Sequence, residues 1–501
     1  MKRMTALVFV PRARPTRLWV AASVATAVSL VLLVYVLERD ATRVRLSELA
    51  ALFVALTAAS NVIALRMPRF PLAAALAYAG SPLSFYIVFR HTSAAFAYPD
   101  ARDLSVDAAI TLGLLCGAIA PLVARAEFRA GTGRDRLLLP LGALSGAWFI
   151  TALVGLARGN SPRYVVTDLI PVAEIVLAYV AASRLFTRPS QLRRFVLLAT
   201  SSLAVTAVVR LAFYPFGTRG FGVTQQGIGA HILPRFFLVQ PFAWLAPACA
   251  VYALTARTRR RRLVGAALVT LFGTCTLLSF ERGTWVVLGC ALLPVLGVLV
   301  WKRPRAAIAA LAAAAVASIA LAAVGKGSYN PITLVAHRLA YTRTQVFDPN
   351  EPLQNKRSDE ARALVREIQD HPSYWPVGAG LGATYVGPTG FRDIGYKESF
   401  KPKHYSFNTY LAVALRSGLL GLVTLALLIV GMLRVAWLAA RSTRARFLSL
   451  AGATVFGGTV ALVGISIVDP EILIHPLALY LGATFGLLTR GLRWSESDKE
   501  S

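Results

Sequence analysis

The chain is 501 residues long, 56% hydrophobic with a mean hydropathy of +0.59, and carries a net charge of +29 from 53 Lys and Arg against 24 Asp and Glu. Several stretches of about 20 residues lack any charge, the length a helix needs to cross a hydrocarbon core of about 30 Å, which excludes a soluble globular domain; a β-barrel is excluded too, because its strands alternate over only about ten residues. The arginines are spread between the apolar runs rather than gathered on one basic face, so the charge reads as membrane topology and not as nucleic-acid binding.

The pattern predicts an all-α polytopic membrane protein with about fourteen transmembrane helices. They fall near residues 18–37, 46–65, 70–89, 105–124, 137–157, 164–183, 195–213, 236–255, 263–280, 284–301, 306–325, 408–433, 447–468 and 472–489. The division is therefore N-terminal helices (1–325), one large polar loop domain (326–406), and C-terminal helices with a tail (407–501). The basic start and long apolar run of residues 1–36 lack a small-residue cleavage site and read as a retained first span. Alternating the connections puts the Arg-rich segments 125–136, 184–194, 257–262, 302–305 and 434–446 on one side. The positive-inside rule makes that side cytoplasmic, places both termini there, and puts the 326–406 loop outside.

Cys116, Cys249, Cys275 and Cys290 all fall inside expected spans and read as small buried apolar residues, with no disulfide framework. All six histidines, His91, His231, His337, His371, His404 and His475, fall on the outer side or at outer helix ends, which favours proton chemistry at that face. Within the loop, residues 357–370 form an amphipathic helix with Ala361, Leu364, Val365 and Ile368 on one face and Asp359 and Glu360 in its first turn; His371 and Pro372 stop it. Gly378, Gly380 and Gly382 follow, a spacing that suits either an ordinary surface turn or close backbone approach to a ligand. A polar stretch then leads to His404, and the next span opens at Asn408, Thr409, Tyr410 and Leu411 and contains Arg416, Gly418, Gly421 and Leu422.

That order of amphipathic helix, His-Pro, Gly-x-Gly-x-Gly, polar stretch, Asn-x-Tyr-Leu and Gly-x-x-Gly-Leu resembles the C-terminal signature of the O-antigen ligase and Wzy-type O-antigen polymerase superfamily. Asn408 is followed by nine residues, Gly418, two residues and Gly421, the spacing of the ligase motif. Ser279, Phe280, Glu281, Arg282, Gly283, Thr284 and Trp285 are similar to the family's Ser-Arg-Gly-x-Trp pattern with two residues inserted. The resemblance covers residues 270–425 closely and the rest of the topology loosely. One position departs: ligases carry a histidine directly before the Asn408 position, where this chain has Phe407, which cannot accept a proton.

The resemblance implies a GT-C-like helical bundle in the bacterial inner membrane, with its active site facing the periplasm. It implies a glycan on undecaprenyl pyrophosphate as donor, and as acceptor a second lipid-linked glycan (polymerase) or lipid A core (ligase). Phe407 directs the reading to the polymerase branch; a transporter or flippase for the same lipids, also seated among membrane lipids, is the alternative of another class. Pyrophosphate suits arginine, whose planar fork stays charged; the candidates at outer helix mouths are Arg210, Arg219, Arg235 and Arg282, with Arg338 and Arg343 in the loop. Each is also an arginine that can snorkel to the interface. His404 and Glu281 are the candidate general bases, with Asp469, Glu471 and His475 in reserve; Glu281 can instead pair with Arg282. Asn408, Tyr410 and Arg338 are the candidates for holding glycan. No metal or cofactor is implied: the loop has no compact ligand constellation and the chain no Walker loop.

Overall fold

The computed structural model describes residues 46–81, 84, 101–123, 135–186, 189–213, 223–228, 231–236, 240–279, 282–302, 304–305, 352–389, 399–404, 406, 408–442, 446–467, 473 and 477–497. The helices are α1 (Leu46–Arg66), α2 (Phe70–Ala79), α3 (Ala101–Val123), α4 (Leu138–Ala157), α5 (Pro162–Arg184), α6 (Pro189–Phe213), α7 (Gln240–Thr255), α8 (Arg259–Leu277), α9 (Arg282–Lys302), α10 (Pro352–Asp370), α11 (Thr409–Ala440), α12 (Arg446–Ile465) and α13 (Leu477–Ser497). Two antiparallel hairpins interrupt them, β1 (Val223–Ile228) with β2 (His231–Phe236), and β3 (Tyr385–Thr389) with β4 (Ser399–Lys403). The protein is an all-α polytopic membrane protein, and the hairpins are confined to connections. The expected spans at 18–37 and 306–325 lie outside the described residues.

Seven described helices, α1, α3, α4, α5, α9, α11 and α12, are long and apolar enough to cross a membrane. Their solvent-facing side chains are apolar as well: Leu139, Phe149, Ile150, Leu153 and Leu156 line the outside of α4, as a lipid-facing surface requires. Helices α5 and α13 hold the centre. Ala178, Ala181 and Ala182 of α5, with Leu479, Tyr480 and Ala483 of α13, pack into a core shared with α2, α6, α7 and α8. Val165, Val172 and Ile175, with Ala478, Leu481 and Phe485, pack into a second core shared with α4, α11 and α12. Close contact between the central pair depends on Gly482 and Gly486, since a Cβ at Gly482 would run into the Ile175 carbonyl and one at Gly486 would meet Ala182 at 2.7 Å.

Helix α10 is the amphipathic helix expected from the loop sequence, starting five residues earlier. Leu364 and Ile368 are buried against Ala379, Ala383, Tyr385 and Leu415, while Val365 sits at the edge of that face, 37% exposed. The helix therefore clamps the glycine segment and β3 onto the start of α11.

Candidate functional site

The site begins with a fault in α11. Gly418 adopts φ 58° and ψ −153°, a conformation open to glycine and strained for other residues. In an unbroken helix the Leu419 and Leu420 N–H groups would donate to the Leu415 and Arg416 carbonyls. Here Leu419 donates to Trp375 O at 2.8 Å and Leu420 to Pro376 O at 3.1 Å, while the Leu415 and Arg416 carbonyls accept from Ala379 N–H at 2.6 Å and Gly380 N–H at 3.0 Å. Segment 375–380 is thus spliced into the break, and each of the four backbone groups has a partner, as a hydrocarbon environment demands.

The other side of the glycine segment is fastened to the turn between α4 and α5. Leu381 N–H donates to Thr151 O at 2.9 Å. Asn160 Nδ2 donates to the Ala379 and Leu381 carbonyls at 3.2 and 2.9 Å, and Arg158 Nη1 to Gly378 O at 2.5 Å, with its guanidinium 5.0 Å from the Tyr374 ring centre. Gly380 touches the Gly155 backbone, so a Cβ there has no room. The three glycines do permit a close backbone approach, and the neighbour is the protein's own chain.

This clamp brings three ionisable side chains from three distant segments together. Asp168 lies on the second turn of α5, His404 directly follows β4, and Arg416 lies two residues before the break. Arg416 Nη1 stands 2.8 Å from Asp168 Oδ1, Gly382 N–H donates to Asp168 Oδ2 at 2.7 Å, and His404 Nε2 lies 3.2 Å from the same carboxylate. Arg416 Nη2 also donates to the His404 carbonyl, and Trp148 Nε1 to the Asp168 carbonyl at 3.2 Å. The imidazole is stacked on Tyr164, one turn before Asp168, with centroids 4.3 Å apart and planes at 8°.

The chemistry follows from the donor inventory. A carboxylate ringed by donors is an acceptor only, so Nε2 of His404 carries the hydrogen and Nδ1 keeps a lone pair. Burial and the neighbouring Arg416 charge hold the His404 pKa below the usual imidazole value, opposed by Asp168. His404 is therefore neutral near pH 7, and Asp168 stands ready to stabilise the imidazolium that forms when Nδ1 takes a proton.

Of the candidate catalytic and binding residues expected from sequence, His404 is the one that the described residues bring into this cluster, beside the motif positions Gly382 and Arg416. Asn408 is the N-cap of α11, its Oδ1 accepting from Leu411 N–H at 2.9 Å, and the Tyr410 hydroxyl donates to Val463 O of α12 at 2.7 Å. Arg210 is fully enclosed at the end of α6, its guanidinium 5.2 Å from the Phe242 ring centre. Arg282 opens α9 and Arg235 pairs with Thr224 across the first hairpin; their side chains, and Arg219, Glu281, Arg338 and Phe407 altogether, lie outside the described residues. Asp168 was not singled out; the signal was a carboxylate in a largely apolar span, joined there by Glu174 six residues on, and an ionisable residue within a span marks a functional position by default in a membrane protein. Among the described residues no group of His, Cys, Asp and Glu is placed to hold a metal ion.

Residues 266–426, about a third of the chain, match the family model described as O-antigen ligase (Wzy_C). No curated protein matches the chain. The matched segment contains the glycine loop, His404, Arg416 and the break at Gly418, and over it this chain is similar to the O-antigen ligase and Wzy-type polymerase superfamily.

Proposed function

We propose that the protein is a membrane glycosyltransferase of the O-antigen polymerase type, joining undecaprenyl-pyrophosphate-linked glycan units at the extracytoplasmic face of the bacterial inner membrane. The observation that carries this reading is the Asp168–His404 pair, whose histidine lies in the family-matched segment and is poised as a neutral base. The acceptor hydroxyl gives its proton to His404 Nδ1 as its oxygen bonds to the donor sugar's anomeric carbon. The bond from that carbon to the pyrophosphate oxygen breaks, and undecaprenyl pyrophosphate leaves with the electron pair. Asp168 keeps the ring in the required tautomer and offsets the imidazolium charge. Arg219, Arg282 and Arg235 are the proposed pyrophosphate ligands; Arg416 is already committed to Asp168, and enclosed Arg210 is left out of that group. Glu281 is a second proposed base. The outer assignment of this end is supported by chain order: turn 158–161, segments 375–389 and 399–404, and turn 466–467 gather there, joined by contacts such as Thr409 N–H to Ser466 O at 3.0 Å. The arginine-rich residues 257–262 and 434–442 lie at the opposite end.

The description of the matched family favours a second reading, transfer of the finished glycan to lipid A core. Surface polysaccharide from a deletion strain complemented with wild type or His404→Ala separates the two. Single repeat units on lipid A without long chains in the mutant support polymerase. Loss of every glycan-bearing lipid A species, with polymer accumulating on undecaprenyl pyrophosphate, supports ligase. An unchanged profile from an expressed His404→Ala protein removes His404 from the chemistry.

A further inference from the structure

At the end of the bundle opposite His404 lies a second charged cluster that the glycosyl-transfer reading does not use. Asp135, just before α4, is paired with Arg184 at 3.2 Å and Arg493 at 2.8 Å, and accepts a hydrogen bond from the Tyr179 hydroxyl. Arg490, one turn before Arg493 on α13, packs over Trp494 at 5.3 Å. Arg184, Arg490 and Arg493 stand close enough to repel one another. Among the described residues this puts three guanidinium groups beside one carboxylate. Arg490 Nε and Arg493 Nε are buried N–H donors with no hydrogen-bond partner there, although both side chains keep some exposure, 15% for Arg493. An orphaned, charged donor at the edge of a bundle is costly unless something outside the fold completes it.

The depth of the cluster indicates what that is. Arg184 ends α5, sixteen residues after Asp168, about 24 Å along the helix axis at 1.5 Å per residue. With a hydrocarbon core of about 30 Å, this puts the guanidinium groups at the level of the lipid phosphates on that side. We propose that Arg184, Arg490 and Arg493 form a binding site for the phosphate of an anionic phospholipid, with the fork of Arg493 shared between Asp135 and the lipid. Guanidinium is suited to bidentate phosphate contact, and Trp494 is of the residue type that seats itself at the headgroup boundary. The site is independent of the chemistry at His404.

The test is thermal unfolding of the full chain in neutral-detergent micelles doped with phosphatidylglycerol or phosphatidylcholine, with inorganic phosphate as a third arm. Phosphatidylglycerol is expected to raise the wild-type Tm by about 5 °C over phosphatidylcholine at equal lipid. Arg490→Gln, which leaves both Asp135 ion pairs in place and so preserves the fold, is expected to lose at least half of that shift. Arg490→Gln/Arg493→Gln is expected to lose it entirely. An equal response to both lipids, a full phosphatidylglycerol shift in Arg490→Gln, or a response to inorganic phosphate as large as that to the lipid would each overturn the proposal.

Discussion

Asp168 and His404 are 236 positions apart in sequence, yet the carboxylate of one lies 3.2 Å from Nε2 of the other. The distance is maintained from both sides: Gly382 N–H and Arg416 fix the carboxylate, while Tyr164 and the bond from Arg416 to the His404 carbonyl fix the imidazole.

Asp168→Asn removes the partner that dictates the His404 tautomer while keeping the side-chain volume. Transfer of glycan in proteoliposomes is expected to fall by about 10²–10⁴-fold, with the protein still inserted and folded. Activity within threefold of wild type would remove Asp168 from the mechanism.

Because the His404 pKa is depressed, the neutral base persists as pH falls through 6.5 and is lost only at lower pH. The acid limb of the rate profile should therefore have its midpoint below 6.5. Asp168 opposes the depression, so the residual activity of Asp168→Asn should titrate at a still lower pH. A wild-type midpoint above 6.5 would contradict the burial of His404.

Gly418→Ala forces a Cβ into a positive-φ site where Trp375 O lies 2.6 Å and Val377 N 2.7 Å from its ideal position. Conformational strain alone is about 1–3 kcal/mol. A lower Tm is expected together with loss of transfer, because Arg416 is two residues from the break. Gly142→Ala, where a Cβ meets open space, is the matched control and should leave both unchanged.

Tyr410→Phe should cost about 1 kcal/mol through loss of the bond to Val463 O, and Asn408→Ala about 0.5–2 kcal/mol through loss of the helix cap. Neither is expected to lower transfer more than a few-fold once stability is restored by lower assay temperature. A large drop in kcat for Tyr410→Phe at unchanged Tm would return the hydroxyl to the glycan-binding group.

The membrane spans were legible because an apolar run of fixed length is a local property: the expected span 164–183 is realised as Pro162–Arg184, and 137–157 as Leu138–Ala157. The glycine loop was legible as a motif, while its partner was not. Nothing near residues 378–382 announces that Gly155, Asn160 and a broken helix will receive them. His404 was found through residue type and side, whereas Asp168 depends on a pairing formed only when α5, β4 and α11 are assembled. Tyr410 and Asn408 are visible in sequence as motif positions, whereas their hydrogen bonds to Val463 O and from Leu411 N–H are seen only in the folded chain.

The splice at Gly418 also bears on biogenesis. Residues 375–380 emerge from the ribosome before α11, so they must wait, with their backbone groups hydrated, for the helix that will receive them. Until they dock, α11 enters the bilayer with two carbonyls and two N–H groups exposed at its break, a defect worth several kcal/mol in lipid. Assembly of the candidate site and relief of that defect are the same event, so a chain whose loop fails to dock is unstable and also lacks the Asp168–His404 pair.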